Sequence, residues 1–459
     1  MTIGLNVLGI VPLWIIILSF ETNTFPDAWK TAKIVPIYKG SGLKTDPKSF
    51  RPVALLPCLS KVLEKIMVLQ LTKHFEKFNE IPGTNGIHKR LFSCRQHGYR
   101  SRLSCSTNIL QLLDDVLVDC QGGHESCLLM CDLSAAFDTV PHQLLLKKLA
   151  LYGLSEDAIA WMKSYLDGRE QYVDVNGGRS NRRKIPVGVF QGSIAGPILF
   201  IIYFNDLITL QDNLTKISIY ADDNNYKLKL GNDVEENKLL INRKLKQVEE
   251  YMNSNKLKFN AAKTQMMIMS PKKNKQNSSL KLDFNGIEII PEKQAKFLGV
   301  VISDDLSWEN YIVHNEKSLL SYCNSKLSAL RKLRRHCNQE QLLLLANGMI
   351  LSKIIYCISV WADVCKALKK KIQSVITEMY RIVSNDYETG TKALHEKLEA
   401  LSLDGWIQFM DVMGGRSITA FIKPEDMSNK ISPNDQDPYL PNTRGRREGM
   451  IAYSQTNTS

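Results

Sequence analysis

The chain has 459 residues, of which 44% are hydrophobic and 23% charged, enough for a sizeable core and a composition that excludes a mostly disordered protein. Its formal charge of +12 points to a polyanionic partner, because lysines and arginines gain free energy by releasing counterions from phosphates. Ten cysteines without CxxC pairs fit free thiols in a reducing compartment rather than a disulfide framework.

The stretch from Thr2 to Phe20 carries no charge and is long enough for a membrane span or signal anchor. It lacks a basic flank, contains Gly4, Gly9 and Pro12, and runs straight into a globular pattern. The preferred reading of residues 1–24 is therefore a buried apolar helix, the lead-in of a chain truncated at its start, with membrane anchoring by residues 2–20 a minor alternative. Residues 25–57 read as short strands and loops punctuated by Pro26, Pro36, Pro47, Pro52 and Pro57. Helical spacing follows from Lys61 to Phe78, with Val62, Leu63, Ile66, Leu69 and Leu71 near one face, then a basic loop over 81–107 and a helix from Thr107 to Val118. Cys120, His124 and Cys127 form a C-x3-H-x2-C cluster that resembles half a zinc site. No fourth ligand is evident, and Cys127 opens an apolar run where a buried thiol is ordinary.

That run, Cys127 to Leu133, is continuous enough for the middle of a sheet and contains a carboxylate, Asp132, near its end. A helix is predicted from His142 to Tyr152. Ile217–Tyr220 and Tyr226–Leu230 read as two strands of a hairpin with Asp222 and Asp223 at its tip. Residues 233–255 form an amphipathic helix, Phe297–Ile302 a strand, and Trp308–Arg381 a basic helical region. From Ser432 onward Pro, Asn, Asp, Gly and Arg dominate and no structure is assigned. The outline is a mixed α/β lobe followed by a helical one.

One carboxylate on a strand end, facing a pair on a hairpin tip, is a hard-oxygen set suited to divalent ions. Two magnesium ions, with manganese an alternative, activate a 3′-hydroxyl and neutralise a leaving pyrophosphate from such a set. An Asp pair at a turn is by itself more often only a turn, since Asp accepts backbone hydrogen bonds there.

The surrounding strings are more specific. Asp132 to Val140 (DLSAAFDTV) resembles the first palm motif of LINE-type, jockey-like, non-LTR reverse transcriptases, and Tyr220-Ala-Asp222-Asp223 their carboxylate hairpin. Gln191 to Phe200 (QGSIAGPILF) is similar to their QGSxLGPxLF string, Leu257 to Thr264 to their lysine-bearing motif, and Phe297-Leu298-Gly299 to their primer-grip hairpin. Upstream, the segments around Trp29, Lys39, Arg51 and Gln96–Arg100 look like the fingers. The motifs occur in family order over about residues 25–310.

The resemblance implies an α+β right-hand polymerase: fingers and palm with an antiparallel sheet over 25–310, a helical thumb over 311–400, and a partly disordered tail over 401–459. It implies an RNA-directed DNA polymerase that adds dNTPs to a DNA primer on an RNA template, without a small-molecule cofactor. Asp132, Asp222 and Asp223 would hold the metals with the carbonyl of Leu133. Lys39 and Arg51 would clamp the triphosphate, for which a point charge and a bidentate fork are suited. Gln191 and Gly192 would lie under the base, and Lys263 near the pyrophosphate. Phe137 would exclude a ribose 2′-hydroxyl and so select dNTPs. Tyr220, Phe297, Leu298, Gly299, Arg331 and Arg334 would meet primer and template.

Departures from the family pattern are Phe190 for a usual proline, Ala195 for a usual leucine and Asn224 for a frequent threonine; they bear on activity level. No endonuclease segment is recognised ahead of the fingers. Group II intron-type reverse transcriptases are the alternative within polymerases, and an inactive element remnant that only binds RNA is the alternative from another class. An intracellular, nuclear and cytoplasmic location is expected, with a membrane role unlikely despite the apolar start.

Overall fold

The computed structural model describes residues 2–80, 88–270, 276–314 and 316–421, with side chains left undescribed at 2–11, 78–80, 88–90 and 414–421. The reading of residues from Ser432 onward, and part of the basic loop over 81–107, lie outside them. The fold is α+β.

The N-terminal helix α1 (Thr2–Glu21) docks by Ile16, Ser19 and Phe20, with Phe20 stacked 5.3 Å from Trp161, but leaves Leu13, Trp14, Ile17 and Leu18 exposed. The expected buried helix therefore has one buried face. Among residues with described side chains, no helix is long and apolar enough to cross a membrane.

A first sheet gathers β1 (Thr31–Tyr38), β2 (Phe50–Leu55) and β6 (Glu170–Val175), with β1 antiparallel to β2 and parallel to β6. The short strands β7 (Gly178–Arg179) and β8 (Arg183–Lys184) close it against β6. Pro52 is tolerated on β2 because that strand is an edge. After β2 comes helix α2 (Cys58–Glu76), which buries Leu63, Met67, Leu71 and Phe75 at helical spacing. Val62 and Leu69, expected on the same face, are exposed; the buried face is rotated toward Met67 and Phe75. A small hairpin, β3 (Phe78–Glu80) with β4 (His88–Arg90), follows.

The second sheet is fully antiparallel, in the order β11 (Lys258–Met269), β5 (Ser126–Ser134), β10 (Asp223–Lys229), β9 (Thr215–Tyr220). Two-residue periodicity explains the unbroken apolar run of β5. Cys127, Leu129, Cys131 and Leu133 enter one core, with α4 (His142–Leu151), α5 (Glu156–Leu166), α6 (Ala195–Tyr203) and α7 (Val234–Ser254) contributing to it. Leu128 and Met130 enter a second core with α3 (Cys105–Gln121) and the C-terminal helices. Helix α3 starts on a Ser104–Thr107 capping box and α7 on an Asp233 cap, each satisfying free N–H groups of a first turn.

Beyond hairpin β12 (Leu282–Phe284)/β13 (Ile287–Ile289), the segment expected as a single strand over Phe297–Ile302 is a tight hairpin: β14 (Gln294–Phe297) and β15 (Val300–Ser303). The helical lobe then runs through α8 (Glu309–Ile312), α9 (Leu319–Leu333), α10 (Gln339–Ala346), α11 (Ser352–Ile355), α12 (Ile358–Trp361), α13 (Lys366–Ser384) and α14 (Thr391–Lys397). It does not stop near 400. Helix α15 (Leu403–Phe421) buries Leu403 and Ile407 in the same core, where a tail was expected.

Candidate active site

Strands β9 and β10 pair Tyr220 with Asp223, so Ala221 and Asp222 make the whole turn, and Ala221 takes a left-handed φ of +58°. An alanine there is disfavoured, and the neighbouring chain holds it. The buried Gln96 accepts from the amides of Ala221 (3.0 Å) and Gly98 (2.8 Å). A Cβ on Gly98 would collide with the Ala221 nitrogen, which makes glycine a packing requirement at that position. His97 is buried beside this contact between Thr107 and Gln111 (2.8 and 3.0 Å), and burial pushes its imidazole down to about 4, with the Arg100 and Arg95 charges adding to the shift.

Because β10 pairs with β5 in the register Asn224 to Cys131, the tip carboxylates come alongside Asp132. Desolvation raises Asp222, and the charge of Asp132 adds to it. Desolvation, then Asp222, then Asp132 push Asp223 up to about 6. Two desolvated carboxylates held up in part by a neighbouring negative charge form a site in want of a cation. One is present in part: Lys263 Nζ stands 3.1 Å from Asp132 Oδ2, a half-exposed pair that solvent screens.

Above the carboxylates opens a cavity of about 530 Å³, lined by Lys39, Arg51, Leu133, Phe137, Gln191, Gly192 and Asp222 among others. Residues of two sheets and of the loop before α6 thus meet in one space. Arg51 lies on β2 opposite Ile37, and Lys39 follows β1 directly, with Nζ donating to the carbonyl of Lys48 (2.7 Å). Phe137 is fixed by stacking on Phe200, centroids 4.7 Å apart. Gln191 accepts from the Ala54 amide at 2.7 Å. Gly192 has φ +111°, and a Cβ there would sit 2.6 Å from the Ala54 carbonyl oxygen, so the loop can lie this close to β2 only as glycine. The buried Glu64 accepts from the amides of Ile194 (2.7 Å) and Ala195 (3.3 Å), capping the start of α6 from α2. Phe190, the departure before Gln191, lies 5.5 Å from the Arg169 guanidinium.

The remaining expected residues lie outside this cavity. Tyr220 ends β9, half-buried; Phe297 is buried, and Leu298 and Gly299 form the β14–β15 turn. Arg331 is ion-paired with Glu378 of α13 at 2.8 Å, and Arg334 caps α9. His124 of the half zinc motif donates to the Leu230 carbonyl at 3.2 Å. Sequence reasoning gave no role to Tyr99, which lines the cavity at φ +56° with its phenol raised by burial and then by the Asp222 charge, nor to Asp138, which lines it and accepts from Gln191 at 3.4 Å. Both sit inside strings already singled out, which was the available signal.

Among the described residues no group of three or more His, Cys, Asp or Glu side chains converges closely enough to hold a metal ion as it stands. The donor chemistry nonetheless suits a hard divalent cation: among the described residues Asp222 and Asp223 have no ion-pair partner, and the negative charge of Asp132 bears on both.

The profile of the family described as reverse transcriptase (RNA-dependent DNA polymerase) matches residues 39–302, more than half of the chain. The chain is 25% identical over 304 residues to the RNA-directed DNA polymerase from mobile element jockey of Drosophila melanogaster, covering 65% of this chain and 31% of that protein. To the protein of the same name from Drosophila funebris it is 29% identical over 371 residues, 78% of this chain and 38% of that one. The chain thus spans about a third of the length of these relatives. A solved structure of apo telomerase from Candida tropicalis is 12% identical with a TM-score of 0.42, covering 92% of this chain and 69% of that chain.

Proposed function

The chain belongs to the reverse transcriptase family, with its similarity on the LINE side, and from that premise we propose that it is the RNA-directed DNA polymerase of a non-LTR retrotransposon. It extends a DNA primer along an RNA template with dNTPs. The observation that carries this reading is the single cavity in which Lys39, Arg51, Phe137, Gln191 and Asp222 meet, with Asp132 and Asp223 beside it.

Asp132, Asp222 and Asp223, with the Leu133 carbonyl, are the residues that would hold two magnesium ions. Bound there, the ions supply Lewis acidity at the 3′-hydroxyl and at the leaving pyrophosphate. The protein's own part is positioning. Lys39 and Arg51 draw the triphosphate toward the carboxylates, the guanidinium by paired donors and the ammonium as a mobile point charge. Gln191 and Gly192 present a flat backbone to the base pair. Phe137, braced by Phe200, occupies the space of a ribose 2′-hydroxyl. Lys263, released from Asp132, offers a proton donor toward the pyrophosphate oxygen. Tyr220, the Phe297–Gly299 turn, Arg331 and Arg334 serve the primer and template strands, with residues 25–310 as fingers and palm and the helices after 311 as thumb. An element that primes at chromosomal DNA would work in the nucleus after synthesis in the cytoplasm.

The experiment is nucleotide selection by wild type and Phe137→Ala on an RNA template. The wild type should incorporate dNTPs and reject rNTPs, and the variant should admit rNTPs by about 100-fold more, within the roughly 1–3 kcal/mol that steric discrimination supplies. Wild-type incorporation of rNTPs as readily as dNTPs would refute the assignment.

A further inference from the structure

The β14–β15 turn is two residues long, with Leu298 at φ +46° and Gly299 at φ +83°. Such a turn exposes its first carbonyl, and here the Leu298 oxygen accepts the Tyr356 hydroxyl at 2.6 Å. The Tyr356 ring lies over the same turn: a Cβ on Gly299 would sit 3.4 Å from its Cε1 atom. Burial pushes the phenol well above its usual range, so the hydroxyl remains a donor throughout the neutral range.

Tyr356 does not come from the β lobe. It stands in a break of the helical lobe, which takes one π-helical turn at Asn347–Leu351, resumes as α11, and then stops at an extended Tyr356 followed by a left-handed Cys357 at φ +53°. A non-glycine residue in that region is disfavoured, and π turns inside helices gather at functional places. The break is held from behind, because the buried Trp361 donates its indole N–H to the Tyr356 carbonyl at 3.1 Å. Helix geometry is thus interrupted at the point that carries the Tyr356 hydroxyl onto the turn.

We propose that Tyr356 is a positioning residue that ties the β14–β15 turn to the helical lobe, so that turn and lobe act as one body on the primer strand. The inference rests on the reading of this turn as a primer contact. A tyrosine that served folding alone would affect melting and leave duplex handling unchanged.

Tyr356→Phe keeps the ring over Gly299 and removes only the donor. The test combines fluorescence anisotropy of an RNA–DNA primer-template, product length per binding event in the presence of a heparin trap, and dNTP kinetics, with thermal melting of each variant. The expected result is a three- to tenfold weaker primer-template Kd and KM and shorter products. KM for dNTP and saturating kcat for the first nucleotide should stay within twofold, and Tyr356→Leu should go further in the same direction. A Tyr356→Phe protein that melts like wild type with unchanged duplex affinity and product length overturns the proposal, as does a loss confined to dNTP affinity. If the wild type binds duplex in a Tyr356-dependent way yet extends nothing, the polymerase reading fails while this one stands; if the wild type binds no duplex, this one fails.

Discussion

The two sides of the cavity are built in opposite ways. On the carboxylate side, the Ala221–Asp222 turn is gripped by Gln96, packed against Gly98 and registered to β5, so its position is set by buried backbone contacts. On the cation side, Lys39 and Arg51 are exposed, and among the described residues the lysine's hydrogen bond goes to a backbone carbonyl. The difference teaches where order is needed. Like charges held together resist collapse and need a rigid frame, whereas a cation that meets a mobile triphosphate loses little by waiting in water.

Each prediction presses on that contrast. Gly98→Val should do the most damage, because the new side chain must enter the space of the Ala221 backbone. A loss of about 3 kcal/mol or more in urea unfolding is expected, with the carboxylate hairpin displaced; a stable variant would mean the grip is looser than described. Acid should act nearly as strongly through His97. Its folded value is about 4 against 6.5 for the free ring, so the unfolded chain takes the proton first. The contribution of neutral His97 is therefore complete above pH 6.5 and is lost as pH drops from 6.5 toward 4, by about 3 kcal/mol, against the opposite trend of the raised Asp223 carboxyl. His97→Gln should thus be less acid-sensitive than wild type in urea titrations over that window. Gln96→Leu removes the acceptor of two buried amides and should cost about 2 kcal/mol, read by thermal melting, with extension falling in parallel. On the opposite wall, Arg51→Ala should leave melting unchanged and raise KM for dNTP by roughly tenfold, about 1.4 kcal/mol. A melting loss as large as that of Gln96→Leu would erase the contrast.

Much of the carboxylate side was legible in the sequence because its parts are contiguous. The run Cys127–Leu133 is the interior strand its apolar continuity announced, and the hairpin formed around Asp222-Asp223, with Asp222 in the turn and Asp223 already the first residue of β10. What stayed hidden depended on partners distant in the chain. Phe297–Ile302 read as one strand since Leu298 is a poor announcer of a left-handed turn, and the hydroxyl that meets its carbonyl there comes from Tyr356, 58 residues away. The rotation of α2 toward Met67 depended on what packs against it, and Glu64, a charge in the middle of that face, gave no hint that it caps α6. The ion pair of Lys263 with Asp132 joins a β-bulged stretch of β11 to β5, a register that spacing alone does not specify.

The most direct test of the account is primer extension on an RNA template with dNTPs and Mg²⁺, comparing wild type with Asp222→Asn, which keeps the shape of the turn and removes its charge. The account predicts extension by the wild type and a loss of at least about 1,000-fold in the folded variant, roughly 4 kcal/mol of transition-state stabilisation. Equal extension by the two proteins, or none by a folded wild type, would contradict it.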